Sequence, residues 1–172
     1  MLRILFIICL TFLTGCHSSD SNTSKIKWSS LTMDQAVLKA QKEKLPLFVY
    51  WGAEWCPPCN VLKTTTFKDS IFVDATSKYI SVYLDGDTNE AQSWGEKLKV
   101  RGYPTLMVLT PQLKEVVRLN AGATSSEMAK TLDIAFQQTT PALMILDSLL
   151  QQKEITSTQD DQLQLLSNYS WW

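Results

Sequence analysis

Residues 47–51, Leu-Phe-Val-Tyr-Trp, set the strongest condition on the fold of this chain of 172 residues. All five side chains are apolar or aromatic, and Pro46 comes before the run as a break. Such a run predicts a strand that is buried on both faces. A strand of this kind lies in a sheet that carries helices on both sides, so we expect an α/β architecture.

Strand patterns and helix patterns alternate along the rest of the chain. The predicted strands are residues 47–51, 80–84, 105–109 and 115–120. The predicted helices are residues 28–44, 60–67, 70–78, 89–99 and a last one that begins at the capping box Thr124-x-x-Glu127. The last two strands are separated only by a turn at residues 111–114 and are expected to form a hairpin. This order predicts a central mixed sheet that is flanked by helices.

The first residues resemble a bacterial lipoprotein signal. Arg3 precedes an apolar stretch at residues 4–13, which is too short to cross a bilayer, and the segment ends Leu-Thr-Gly-Cys16. The resemblance implies that residues 1–15 are a signal peptide and that Cys16 is lipidated. It also implies that residues 16–25 form a polar tether and that the protein lies on the periplasmic side of the envelope. His17 stands where inner-membrane lipoproteins carry Asp, which favours the outer membrane.

Charge and histidine content exclude several classes of function. The net charge is −1 and the two signs are mixed, so no nucleic-acid surface is expected. His17, in the tether, is the only histidine. A cysteine protease dyad, a Ser-His-Asp triad and a zinc site that uses histidine all need this residue inside the fold.

The four cysteines fall into two groups. Cys9 lies in the predicted signal and Cys16 is the predicted lipidation site, so Cys56 and Cys59 remain for the folded part. A disulfide between residues so close in the chain closes almost no loop and therefore adds little stability. The pair is expected to serve chemistry, and no metal or other cofactor is predicted.

Two motifs resemble those of the thioredoxin family. Residues 50–59, Tyr-Trp-Gly-Ala-Glu-Trp-Cys-Pro-Pro-Cys, look like its active-site strand and turn, and residues 101–105, Arg-Gly-Tyr-Pro-Thr, look like its cis-proline loop. The similarity covers residues 26–138 and implies a thioredoxin-like fold. Residues 63–67 and 82–87 are closer to periplasmic thioredoxin-like proteins and to the soluble C-terminal domain of transmembrane disulfide reductases.

The resemblance assigns roles to the residues of the first motif. Cys56 is expected at the N-cap of a helix, exposed and active as the nucleophile, since the helix N-terminus favours its thiolate. Cys59 is expected one turn further on, buried and acting as the resolving thiol. Trp55 would cover the pair with apolar surface. Pro57 and Pro58 stiffen the turn but remove two amide donors, which predicts a modestly lowered pKa for Cys56 and a reducing to middling reduction potential.

The second motif places Pro104 as the cis-proline, which makes Tyr103 a predicted substrate contact through its backbone. Tyr50 departs from the family, which often carries a buried Asp at this position. The proton of the resolving step is then expected to move through water or through Glu54. Asp85 and Asp87 are interpreted as a solvated turn rather than a cation site.

Residues 139–172 extend beyond the resemblance and predict a helical C-terminal extension. Leu143, Leu146 and Leu150 share one helical face, and Leu165, Tyr169 and Trp172 share another. The extension either docks on the main domain or begins a further helical domain, and the second arrangement is favoured.

These patterns predict a thiol–disulfide oxidoreductase that reduces or interchanges disulfides of envelope proteins. Its predicted partners are protein thiols and disulfides, a transmembrane electron donor, and the membrane through the lipid on Cys16. A disulfide oxidase or isomerase is the first alternative. A protein that holds Cu(I) between Cys56 and Cys59 is a second one, because soft thiolates select that ion. A redox-silent scaffold lipoprotein is a third.

Overall fold

The computed structural model describes residues 25–138, 140–152 and 159–170. The predicted signal peptide, Cys16 and Trp172 lie outside these residues. In the described part, no helix is both long and apolar enough to cross a membrane.

Seven α-helices are formed by the described residues: α1 Met33–Glu43, α2 Pro57–Thr64, α3 Ser70–Thr76, α4 Asn89–Lys97, α5 Ser125–Gln137, α6 Ala142–Leu150 and α7 Asp160–Ser167. The first helix begins later than the sequence pattern predicts. Thr32 and Gln35 close a reciprocal capping box there, and Trp28 instead pairs with Ser81 as an isolated bridge beside the sheet. The second helix starts at Pro57, as expected for a helix with Cys56 at its N-cap, but it ends at Thr64, before the predicted end at residue 67, and a short 3₁₀ turn, Thr66–Lys68, follows it.

The sheet has four strands, β1 Leu47–Gly52, β2 Ile80–Asp85, β3 Thr105–Leu109 and β4 Glu115–Leu119, in the order β2-β1-β3-β4. β1 runs parallel to β2 and antiparallel to β3, and β3 and β4 form the predicted hairpin. The mixed sheet flanked by helices is therefore confirmed. β1 is central and buried at every residue, as the apolar run predicted.

Two apolar clusters lie on the two faces of the sheet. Phe48 and Tyr50 of β1 belong to the first, together with residues of α2, α3 and α5, whereas Val49 and Trp51 belong to the second, beneath α1 and α4. This alternation follows from the two-residue period of a strand. All buried residues of both clusters lie between Ile26 and Leu165, so a segment from residue 25 to 172 contains the whole described core and is expected to fold by itself.

The C-terminal extension contacts the same core. α6 buries Ala142, Ile145 and Leu149 and not the predicted face, since Leu143 is 59% and Leu150 is 76% exposed. The prediction of that face is wrong because apolar residues occur around most of this helix, so periodicity could not select the buried side.

The end of the extension lies along the open edge of β4. Leu165 of α7 is fully buried in the first cluster. The amide of Asn120 donates to the carbonyl of Asn168 at 3.1 Å, and the amide of Ser170 donates to the carbonyl of Arg118 at 2.6 Å. The described part of the extension therefore docks on the main domain, and it covers backbone groups that an edge strand would otherwise expose.

Candidate active site

The two cysteines lie where β1 turns into α2. Cys56 is the N-cap residue with extended backbone, Pro57 and Pro58 occupy the first two helical positions, and Cys59 occupies the third. Proline fits these positions because its φ is already helical and a first-turn amide needs no partner inside the helix. The structure shows the oxidised form, with a disulfide between Cys56 and Cys59.

The sulfur of Cys56 accepts one hydrogen bond from the first turn, donated by the Cys59 amide at 3.3 Å. Pro57 and Pro58 have no amide hydrogen and cannot add to it. Cys59 is fully buried, as predicted, but Cys56 is only 2% exposed. The prediction of an exposed Cys56 is therefore wrong for the disulfide form, in which its sulfur turns inward to bond with Cys59.

Trp55 stands beside the disulfide with 62% of its surface exposed. Its indole N–H donates to both carboxylate oxygens of Asp87, at 2.9 and 3.1 Å, and its ring centroid lies 5.1 Å from that of Tyr103. Asp87 lies in an exposed turn, as predicted, and its carboxylate in addition holds the indole, a contact that was not predicted. No local pattern indicated this contact, because it depends on β1 and β2 being parallel neighbours, whose ends meet at one edge of the sheet.

The Tyr103–Pro104 peptide bond is cis, as the motif predicted. Thr105 pairs with Trp51, so the register brings the residue before it, Pro104, to the end of β1 where the active-site turn begins. The ring of Tyr103 packs against Trp51 and Trp55. It also lies so close to Gly86 that a Cβ there would overlap the Tyr103 hydroxyl, which was not foreseen from the sequence.

Tyr50, the residue that replaces the family's Asp, lies beneath the site. It is 1% exposed and stacks on Tyr83 with 5.2 Å between ring centroids. Neither hydroxyl has a hydrogen-bond partner among the described residues. Burial raises the pKa of Tyr50 and, with Asp85 as the next cause, raises the pKa of Tyr83 to about 12. Both side chains therefore stay neutral at physiological pH.

Glu54, the other predicted proton route, lies at the surface. Its side chain is 79% exposed, and its carboxylate forms an ion pair with the ammonium group of Lys63 at 2.6 Å. The described part of the chain contains no cluster of three or more His, Cys, Asp or Glu side chains that could hold a metal ion. The chemistry that the arrangement offers is the opening and closing of one disulfide at a helix N-terminus.

Comparison with known proteins gives consistent similarities. A family model described as thioredoxin-like matches residues 27–111. The thioredoxin of Pseudomonas aeruginosa is 33% identical over 102 residues, which cover 59% of this chain and 87% of that protein.

Solved structures agree in fold. A thioredoxin from Thermus thermophilus aligns with a TM-score of 0.56 and 26% identity, covering 63% of this chain and 85% of that one. The oxidised C-terminal domain of DsbD from Neisseria meningitidis aligns with a TM-score of 0.51 and 16% identity, covering 63% of this chain and 97% of the domain. At that identity the second likeness concerns the fold alone.

Proposed function

Because the chain belongs to the thioredoxin-like family and is a thiol–disulfide oxidoreductase, we propose that it works as a reductase of disulfides in proteins of the bacterial envelope. The proposed direction of electron transfer, from the dithiol to the substrate disulfide, rests on one observation. Only one first-turn amide, that of Cys59, donates a hydrogen bond to the sulfur of Cys56. A thiolate with fewer donors is less stabilised, so the dithiol gives up its electrons more readily.

The proposed reaction uses the two cysteines in sequence. The thiolate of Cys56 attacks one sulfur of the substrate disulfide, and the other substrate sulfur leaves as a thiolate and takes up a proton. Cys59 then loses its proton and attacks the sulfur of Cys56 in the mixed disulfide, which releases the second substrate thiol. Two electrons pass to the substrate, and the Cys56–Cys59 disulfide seen in the structure is the oxidised product.

The neighbouring residues serve positioning in this scheme. Trp55, held by Asp87, and Tyr103, packed on Trp55, form the surface beside the disulfide. The backbone of Tyr103 before Pro104 would pair with the substrate chain. A transmembrane dithiol donor would return the Cys56–Cys59 disulfide to the reduced form.

The direction is tested by equilibrating residues 25–172 with glutathione buffers of known ratio. We expect a reduction potential closer to about −270 mV than to about −120 mV, the values of a reducing and a strongly oxidising member of this class. A potential above roughly −150 mV would identify an oxidase or isomerase and overturn the proposal. The double variant Cys56→Ser/Cys59→Ser supplies the baseline.

Substrates are tested by trapping in cells with Cys59→Ala, which cannot resolve mixed disulfides. Envelope proteins linked to Cys56 are expected, and they should be absent when Cys56→Ser is added. No trapped protein, together with tight Cu(I) binding by the native pair, would instead support a copper-holding protein.

The envelope location is proposed from the lipoprotein-like signal. Radiolabelled palmitate is expected to enter the native chain and not the Cys16→Ser variant, and the native chain is expected in outer-membrane fractions. Equal labelling of both chains would contradict lipidation at Cys16, and recovery of the native chain from the cytoplasm would contradict the location.

A further inference from the structure

A cavity of about 460 Å³ lies between the thioredoxin-like part and the C-terminal extension. Its walls come from the end of α4, from the β3–β4 hairpin, from the start of α6 and from the segment after α7. The volume falls within the range of about 300–1,000 Å³ that is usual for small-molecule sites. Since α6 and the segment after α7 form one wall, the cavity depends on the docking of the extension.

The lining has an apolar part and a cationic part. Leu113 and Leu143 supply apolar surface, with Leu109, itself only 1% exposed, also in the lining. Lys97, Lys99 and Arg101 bring three positive charges to the same cavity. Leu143 is largely exposed although it lies on a helix that docks on the core. A site with this division fits a ligand that is itself part apolar and part anionic.

The innermost charges of the cavity are already balanced. The guanidinium of Arg118, a residue only 8% exposed, donates to Glu115 at 2.7 Å and to the carbonyls of Leu98 and Lys99 at 3.0 and 3.3 Å. Glu115 also accepts a hydrogen bond from the hydroxyl of Tyr169 at 2.6 Å. This network forms a fixed polar wall and satisfies backbone groups beyond the end of α4.

The three outer cations are not balanced in this way. Lys97, Lys99 and Arg101 form no ion pair with any side chain in residues 25–138, 140–152 and 159–170. The ammonium group of Lys97 lies 4.3 Å from the ring centroid of Trp94, a cation–π contact that stabilises the cation without supplying a counter-charge. Arg118 already donates hydrogen bonds to the carbonyls of Leu98 and Lys99. The three outer cations are therefore not needed to satisfy the carbonyls at the end of α4.

We propose that this cavity binds a single-chain amphipathic anion, such as a fatty acid. The acidic head group lies against Lys97, Lys99 and Arg101, and the acyl chain lies along Leu109, Leu113 and Leu143. The apolar end of the site lies away from the cysteine pair, because Leu109 ends β3 on the side away from Pro104, whereas Arg101 lies in the loop before Pro104. Binding of the anion requires no redox step.

The test uses isotope-labelled residues 25–172 and three probes: laurate below its micelle concentration, inorganic phosphate, and vesicles of phosphatidylglycerol. Laurate is expected to shift the methyl signals of Leu109, Leu113 and Leu143 saturably, and phosphate is expected to bind far more weakly. The pair Lys97→Glu/Lys99→Glu should raise the dissociation constant for laurate about tenfold or more.

A matched pair, Lys42→Glu/Lys68→Glu, changes the net charge equally at two exposed positions outside the cavity lining and should leave the dissociation constant unchanged. Leu143→Gln, at an exposed position, should weaken laurate binding without unfolding the domain, and circular dichroism checks the fold of every variant.

Three results would overturn the proposal. Equal weakening by both charge-reversal pairs would show a general charge effect. Phosphate binding as tight as that of laurate would show a site for plain anions. Vesicle binding without saturable laurate binding would show a bilayer-facing surface in place of an acyl-chain cavity.

Discussion

The two unpaired hydroxyls below the disulfide lead to a stability prediction that reverses the usual effect of deleting a buried polar group. The hydroxyl of Tyr50 is buried and has no hydrogen-bond partner among the described residues. A buried group in that condition costs about 1–3 kcal/mol. Tyr50→Phe removes the group and keeps the ring stacked on Tyr83, so the free energy of unfolding should rise by about 1 kcal/mol or more.

A matched control is available at Tyr79. Its hydroxyl is also buried, but it donates a hydrogen bond to the carbonyl of Leu132. Tyr79→Phe should therefore lower the free energy of unfolding by about 1 kcal/mol. Urea titration of the oxidised segment 25–172 measures both values. Each change should move the melting temperature by about 2–4 °C, in opposite directions.

The same tyrosines predict a loss of stability in alkali. Burial raises the pKa of Tyr83 from 10.0 to about 12 and raises that of Tyr50 further. The native state then holds protons that the unfolded chain loses, so the free energy of unfolding should fall as pH rises from 10 towards 12. The fall should be smaller in Tyr50→Phe.

If Tyr50→Phe lowers the free energy of unfolding as much as Tyr79→Phe does, the hydroxyl of Tyr50 has a hydrogen-bond partner and the reasoning is refuted.

Three further perturbations follow from the site and the extension. Asp87→Asn keeps an acceptor for Trp55 but removes its charge, so we expect a severalfold slower insulin reduction with unchanged folding; an unaltered rate would contradict a positioning role. Pro57→Gly restores an amide donor in the first helical turn, near the sulfur of Cys56, and should raise the reduction potential by roughly 30 mV, the equivalent of about 1.4 kcal/mol. A lower potential would contradict the inference that the number of amide donors sets the potential. Leu165→Ala should cost about 2–4 kcal/mol, as buried leucines do, whereas Leu163→Ala, at a partly exposed position, should cost clearly less. Equal losses in urea titration would mean that α7 does not dock as described.

Local chemistry made much of the fold and the site predictable. The apolar run of β1 requires burial on both faces, whatever covers it. The short spacing of Cys56 and Cys59 indicates a redox-active pair, since a disulfide between them closes almost no loop. Pro57 and Pro58 fit a helix only in its first turn. Capping residues such as Thr124 mark a helix start through contacts within a few residues, so sequence patterns detect them.

Contacts between residues that are distant in the chain could not be predicted from local sequence patterns. The hydrogen bond between Trp55 and Asp87 exists because β1 and β2 are parallel neighbours, and the two residues are far apart in the sequence. Cys56 is covered because its sulfur turns towards Cys59, which a helix pattern does not reveal.

The C-terminal extension separates the two kinds of information most clearly. Its apolar spacing predicts two helices that each bury a face. Which face of α6 is buried, and that Tyr169 lies beside Leu119, depend on the shape and the free hydrogen-bonding edge that the assembled sheet presents. That surface exists only after residues far apart in the chain have packed together, so no local pattern in the sequence can specify it.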